Sequence, residues 1–119
     1  MKVKPKLIKI EDVEPFIPPA HKDAFSWGLI SKETVGVDNV IFAISEIKPG
    51  GCALNAAHED CQQITYTISG MGKIISGGKE FIAKPGSCHF TPENTEHSTE
   101  VIGKETLRQI IVLVKIKNS

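Results

Sequence analysis

No apolar run in this sequence exceeds five residues. The longest, Val40 to Ile44 and Ile110 to Val114, fall far short of the roughly 20 residues that a bilayer-crossing helix needs, so no membrane role is expected. Charge of one sign is also missing. Fourteen Lys and Arg balance fourteen Asp and Glu, leaving no excess positive charge to release counterions from a polyanion, and nucleic acid is not an expected partner. The opening segment MKVKPKLIKIEDVEP carries lysines but no continuous apolar core, unlike a secretory signal, and a cytoplasmic location is the expectation. Cysteine is sparse and odd in number. Cys52, Cys61 and Cys88 cannot all pair within one chain, and a domain of this size folds without staples, so they read as reduced thiols.

What is present is ordinary for one globular domain: 119 residues, 40% hydrophobic and 24% charged. Ile and Val together number 24, against five Leu and seven Ala. Stiff β-branched side chains pack well on pleated surfaces and lose rotamer freedom in helices, so the balance favours strands. Within the first 37 residues, Pro5, Pro15, Pro18 and Pro19 break any long helix, and Ile8 to Val13 offers a short strand or turn. Alternation of Phe25, Trp27 and Leu29 predicts an extended strand with one apolar face. From residue 38 onward, apolar segments alternate with turn signals: Lys48-Pro49-Gly50-Gly51, Gly70-Met71-Gly72, Ser76-Gly77-Gly78-Lys79, Lys84-Pro85-Gly86 and Pro92-Glu93-Asn94. Short strands punctuated every 8–12 residues or so point to an all-β sandwich or small barrel. Residues 1–37 are then an arm that packs on the barrel or on a partner subunit, and residues 38–119 are the barrel.

Four histidines stand near these turns: His21, His58, His89 and His97. Read as one strand, Cys52, Leu54, Ala56 and His58 share a face, and Gln63, Thr65 and Thr67 share a face on the next. His97 opens another strand just after a proline turn. Histidines from separate segments, joined by a polar strand face, predict a barrel whose mouth is a site. Of His89 and Cys88 only one can face inward, because strand neighbours point to opposite sides.

The segment from Gly50 to Gly70 resembles the first cupin motif: G, five residues, H-x-H, three or four residues, E, six residues, G. Gly50, His58 and Gly70 fall in place. The segment from Gly86 to Val101 resembles the second: G, five residues, P-x-G, two residues, H, three residues, N. Gly86, Pro92 and His97 match. The chain is thus identified as similar to the small single-domain cupins of the cupin 2 type. That resemblance implies a double-stranded β-helix (jelly-roll) barrel and, as is usual for such proteins, a homodimer, in which an arm carrying Phe25, Trp27 and Leu29 has apolar surface to bury.

The departures bear on the chemistry. Ala56 stands where the family has its first His, Gln63 where it has Glu, Asn94 where it has the second Gly, and Val101 where it has the final Asn. The metal set implied by the resemblance shrinks to His58, His97 and Gln63. Two neutral imidazoles and an amide offer no charge to offset a divalent cation, so the cofactor expectation is one divalent ion (zinc, iron, nickel or manganese) or none. Cys52, Ala56, Cys61, Thr65 and His89 are the expected pocket residues. The quartet Gln63-Ile64-Thr65-Tyr66 is also similar to cupins that convert unsaturated uronates to a linear keto form, in which Gln likewise takes the Glu place. The expected function is a small-molecule-binding cupin barrel with a His-containing pocket. Two readings of it stand open: a metal-dependent lyase, isomerase or oxygenase on a small organic acid or sugar-derived substrate, and a metal-free binding or sensor module. A barrel filled by its own side chains fits less well, because Gln63, Thr65 and Thr67 would have to be satisfied internally.

Overall fold

The computed structural model describes residues 3–116, apart from the side chains of Asn55 and Ala56. Eight strands carry the chain: β1 His21–Ile30, β2 Val40–Ala56, β3 Cys61–Ser69, β4 Met71–Ser76, β5 Lys79–Ala83, β6 Cys88–Thr91, β7 His97–Ile102 and β8 Leu107–Lys115. Helix is confined to a 3₁₀ turn at Ile10–Asp12 and a four-residue helix, Lys32–Val35, ended by Gly36 in the left-handed conformation. The strands pair antiparallel in the order β5-β4-β7-β2-β8-β3-β6, with β1 added on β2, and wrap into a nearly closed barrel. The all-β jelly-roll expectation holds.

The two sides of the barrel are joined by β2. Sequence punctuation breaks this stretch at Lys48-Pro49-Gly50-Gly51, whereas the structure carries one 17-residue strand through it. Its first half pairs with β8 from Val40↔Val114 to Ile47↔Leu107, and its second half pairs with β7 at Cys52↔Glu100 and Ala53↔Thr99. Between the halves Gly50 takes φ +83°, and a Cβ on Gly51 would lie 2.9 Å from the Lys48 carbonyl oxygen. Only glycine allows that bend and that close backbone approach. The strand therefore turns a corner and passes from one side of the barrel to the other. At the end of β3, Gly70 has φ +79°, and a Cβ there would sit 2.8 Å from Leu107 Cα, so the last glycine of the first motif is sterically required.

The interior has two zones. At one end Ala24, Ile47 and Leu107, each at most 2% exposed, pack with Ala53 and Val101 into a small dry core. The other inward positions are largely polar: Ser26, Ser45, Gln63, Thr65, Thr67, Ser76, Thr91, Thr99 and Gln109 are all buried. Gln109 Nε2 donates to Thr67 Oγ1 at 3.1 Å and Gln63 Nε2 to Thr65 Oγ1 at 3.1 Å, which satisfies part of this set without filling the space. On β1 the inward face is Ala24 and Ser26, so Phe25 and Trp27 lie on the outer face, half-buried.

Candidate functional site: a histidine-lined cavity

The polar zone opens into a cavity of about 580 Å³, a size that suits a small organic molecule. Strand pairing dictates its walls. On β2, β8 and β3 the rungs Ala43↔Ile111↔Thr65 and Ser45↔Gln109↔Thr67 put these residues on one face, and β6 continues the first with His89 opposite Thr65. All four histidines of the chain line the cavity, and no Asp, Glu, Lys or Arg is among the described residues that do.

His58 does not lie on a strand. It sits in the 57–60 loop after β2, where its carbonyl accepts the Asn94 N–H at 2.8 Å. Asn94 adopts φ +57°, the left-handed conformation that Asn tolerates in place of glycine. This bond ties the loop of the first motif to the turn of the second. The rings of His58 and His97 consequently stand 5.7 Å apart between centroids, tilted by 43°. His97 Nδ1 lies 3.3 Å from the Thr95 carbonyl. A carbonyl only accepts, so the neutral ring carries its proton on Nδ1 and leaves Nε2 with a free lone pair. The same reasoning puts the His21 proton on Nδ1, 2.9 Å from the Pro19 carbonyl. His89 is held edge-on by Phe81, with centroids 4.8 Å apart, and its Nδ1 is 3.3 Å from Thr91 Oγ1.

Burial pushes the His97 imidazole below its ordinary value, and the neighbouring His58, His89 and His21 push it the same way, while the Thr95 carbonyl opposes them. Burial alone lowers His89. Both groups hold fewer protons folded than unfolded between about pH 6.5 and their lowered folded values, so they leave stability unchanged above that window, lower it as the pH falls through it and cost nothing further below it. The melting temperature should therefore fall between pH 7.5 and 5.5, and His97→Gln should flatten that slope. An unchanged slope in His97→Gln would contradict the assignment.

The structure brings His58, His97, Gln63, Thr65 and His89 to this one cavity. Two expected wall residues are not there. Cys52 is displaced because Ala53, its strand neighbour, faces the cavity, which leaves Cys52 on the opposite side. Since β2 ends at Ala56, the parity of His58 does not carry back to Cys52. Cys61 shares the parity of Gln63 but opens β3 beyond the cavity wall, and its thiol donates to the Asp60 carboxylate at 3.4 Å. Burial and that carboxylate raise its pKa and so keep it protonated. Of the either-or pair, His89 faces in and Cys88 is exposed. Ala56 pairs with His97, but its side chain lies outside the described residues. The sequence reading did not place His21, Ser26, Ser45, Thr91, Thr99 or Gln109 in the pocket. His21 lies outside both motifs and reaches the cavity only through the β1–β2 register, His21↔Ala53, which nothing local in the sequence signals.

The profile of the cupin domain matches residues 43–113, more than half of the chain. The chain belongs to the cupin family. Solved structures agree on the fold. This cupin is similar to a predicted oxalate decarboxylase from Thermotoga maritima, with 24% identity over 93% of this chain and 100% of that one, TM-score 0.82. It is also similar to the polyketide cyclase RemF from Streptomyces resistomycificus, with 23% identity over 98% and 88%, TM-score 0.77. A third likeness is to KdgF from Halomonas sp., with 13% identity over 96% and 97%, TM-score 0.74. No curated protein sequence matches the chain significantly. At these identities the likeness establishes the fold, and activity has to be argued from the site.

The family implies a divalent ion, and the donors of this cupin can be tested against one. His58 and His97 converge, but Gln63 could add only a neutral amide oxygen, its Nε2 donating to Thr65 Oγ1. Among the described residues no group of three or more His, Cys, Asp and Glu side chains is placed to hold a metal ion. With no anionic donor in the wall, two imidazoles and one amide oxygen leave a divalent charge without compensation, a weaker set than the three or four strong ligands a tight site uses. The residues present do not fit the ion.

Proposed function

We propose that this cupin domain binds a small organic acid in its barrel without a resident metal, with the acid's oxygens at His58 and His97. The observation that carries this reading is the His58–His97 pair in the wall of a cavity lined by no carboxylate that would repel an anion. His58, His97 once its Nε2 has taken the acid's proton, and the hydroxyls of Thr65, Thr91 and Thr99 supply donors, and Ile41, Ile74, Ile111 and Leu113 supply apolar wall for the rest of the molecule. Calorimetric titration of benzoate into protein freed of metal by EDTA tests it. One saturable site is expected, with His58→Ala and His97→Ala each weakening binding about tenfold, the loss of one charge-assisted hydrogen bond. Equal affinity in all three proteins would refute the placement.

A second reading, proton transfer on an enolisable ligand, is favoured by the free lone pair on His97 Nε2, which provides a general base near neutral pH. Of the quartet shared with uronate-ketonising cupins, Gln63 and Thr65 line the cavity, whereas Tyr66 is 41% exposed and faces outward. Loss of the conjugated absorbance of an unsaturated uronate with the wild type, and its persistence with His97→Gln, would establish this activity.

The homodimer is part of the proposal. Across β1, β2, β8, β3 and β6 the outward rungs read Trp27-Ile44-Ile110-Tyr66-Cys88 and Ile30-Phe42-Val112-Ile64-Phe90. They are bordered by the Glu46–Arg108 ion pair at 3.3 Å. Ile44 is buried within this face, while Tyr66, Cys88 and Phe90 are exposed and the others half-buried, so part of an apolar face is left to water in a monomer. Sedimentation at micromolar concentration should give twice the 13.0 kDa chain mass, and Phe42→Glu should return it to one. A wild-type monomer would remove the dimer. Three unpaired thiols suit the reducing cytoplasm.

A further inference from the structure

The barrel is open along one seam. Strands β5 and β6 end the pairing path, and between them lies a second hollow of about 320 Å³, lined by Ile74, Phe81, Ile82, Cys88, His89 and Phe90 among others. Two observations connect it to the main cavity. Ile74 and His89 line both spaces, so a partition one side chain thick separates them. The edge-on contact of Phe81 with His89 closes that partition between two strands not paired with each other, where no ladder of hydrogen bonds has to break for a ring to swing. The seam is also apolar where solvent meets it, with Phe81, Ile82 and Phe90 at 40%, 48% and 53% exposure.

We propose that this hollow is a lateral subsite of the same cavity, taking the apolar end of an elongated ligand whose acid group lies at His58 and His97. The inference rests on the function proposed above and adds the class of molecule: an organic acid with a long, rigid or aromatic apolar body. Phe81 sets the length accepted. A short acid stays within the main cavity and leaves the Phe81–His89 contact intact. A longer one displaces the Phe81 ring and covers the exposed face of Ile82, gaining apolar burial that the main cavity cannot give.

Benzoate, biphenyl-4-carboxylate and p-terphenyl-4-carboxylate form a ladder of rigid probes that cannot fold back inside the barrel. Calorimetry with the intact wild type should show affinity rising along the series. Phe81→Trp fills the seam and should weaken the terphenyl acid at least tenfold while leaving benzoate within twofold. Phe81→Ala, a safeguard should the larger ring disturb folding, should keep or tighten the terphenyl acid. The indole in Phe81→Trp should change its emission with the terphenyl acid and not with benzoate. If benzoate binds but all three proteins rank the series identically, the subsite is wrong and the main site stands. If no acid binds the wild type, both fall. If Phe81→Trp alters only the sedimentation coefficient, the seam is a contact between copies, and the subsite is likewise overturned.

Discussion

Placing His at position 56 and Glu at position 63 together should create a divalent-metal site where the parent has none that is tight. The double variant A56H/Q63E restores one imidazole and one negative charge to a pair of imidazoles that already converge, 5.7 Å between ring centroids. Position 56 lies opposite His97 in the β2–β7 pairing, and Gln63 is a buried lining residue. Both substitutions therefore act next to the existing pair. Zinc, nickel and iron(II) affinity should rise at least tenfold, about 1.4 kcal/mol, and benzoate binding should weaken because the new carboxylate repels it. Titrating each metal into both proteins separates the alternatives. Tight stoichiometric binding by the parent would contradict the metal-free reading. Failure by both would mean that the motif spacing does not bring positions 56 and 63 to His58 and His97.

The largest loss of stability should come from Leu107→Ala. Leu107 is fully buried and packs with Ala24 and Ile47, each at most 2% exposed. The apolar core here is small because so many inward positions are polar. Removing one of its two large aliphatic side chains, the other being Ile47, leaves a void that neighbours held in the strand ladders cannot easily fill. The cost should be about 2–5 kcal/mol, lowering the melting temperature by about 10 °C or more. Thermal unfolding followed by circular dichroism measures it. A drop of only a degree or two would mean that the cavity-bearing end, and not this plug, holds the barrel together.

The fold was legible because glycines and turns report directly on backbone geometry. Gly50, Gly70 and Gly86 all take positive φ at the motif positions read from spacing alone, and Asn94 does the same where the family has glycine. The Ser76-Gly77-Gly78-Lys79 signal became the β4–β5 hairpin, with both glycines left-handed. The error came from reading Cys52 to His58 as one strand. Carrying the parity of His58 back to Cys52 placed Cys52 in the pocket, whereas β2 ends at Ala56 and His58 lies in the loop after it. The apolar alternation holds for Phe25 and Trp27, but it marks the outer face of β1, since Ala24 and Ser26 face inward, and the irregularity between Gly28 and Ile30 puts Ile30 rather than Leu29 on the next outer rung. His21 was out of reach altogether. Long-range register brings it to the cavity, and a single sequence carries no record of such pairing.

The central claim is that His58 and His97 form the ligand-contacting part of a metal-free cavity. Two-dimensional ¹H–¹⁵N NMR of the four imidazoles, with EDTA present and benzoate titrated in, tests it most directly. The account predicts that the His58 and His97 signals shift together and saturably with one dissociation constant, and that added zinc is not needed for the shift. Signals that stay still, or that respond to benzoate only once zinc has been supplied, would contradict it.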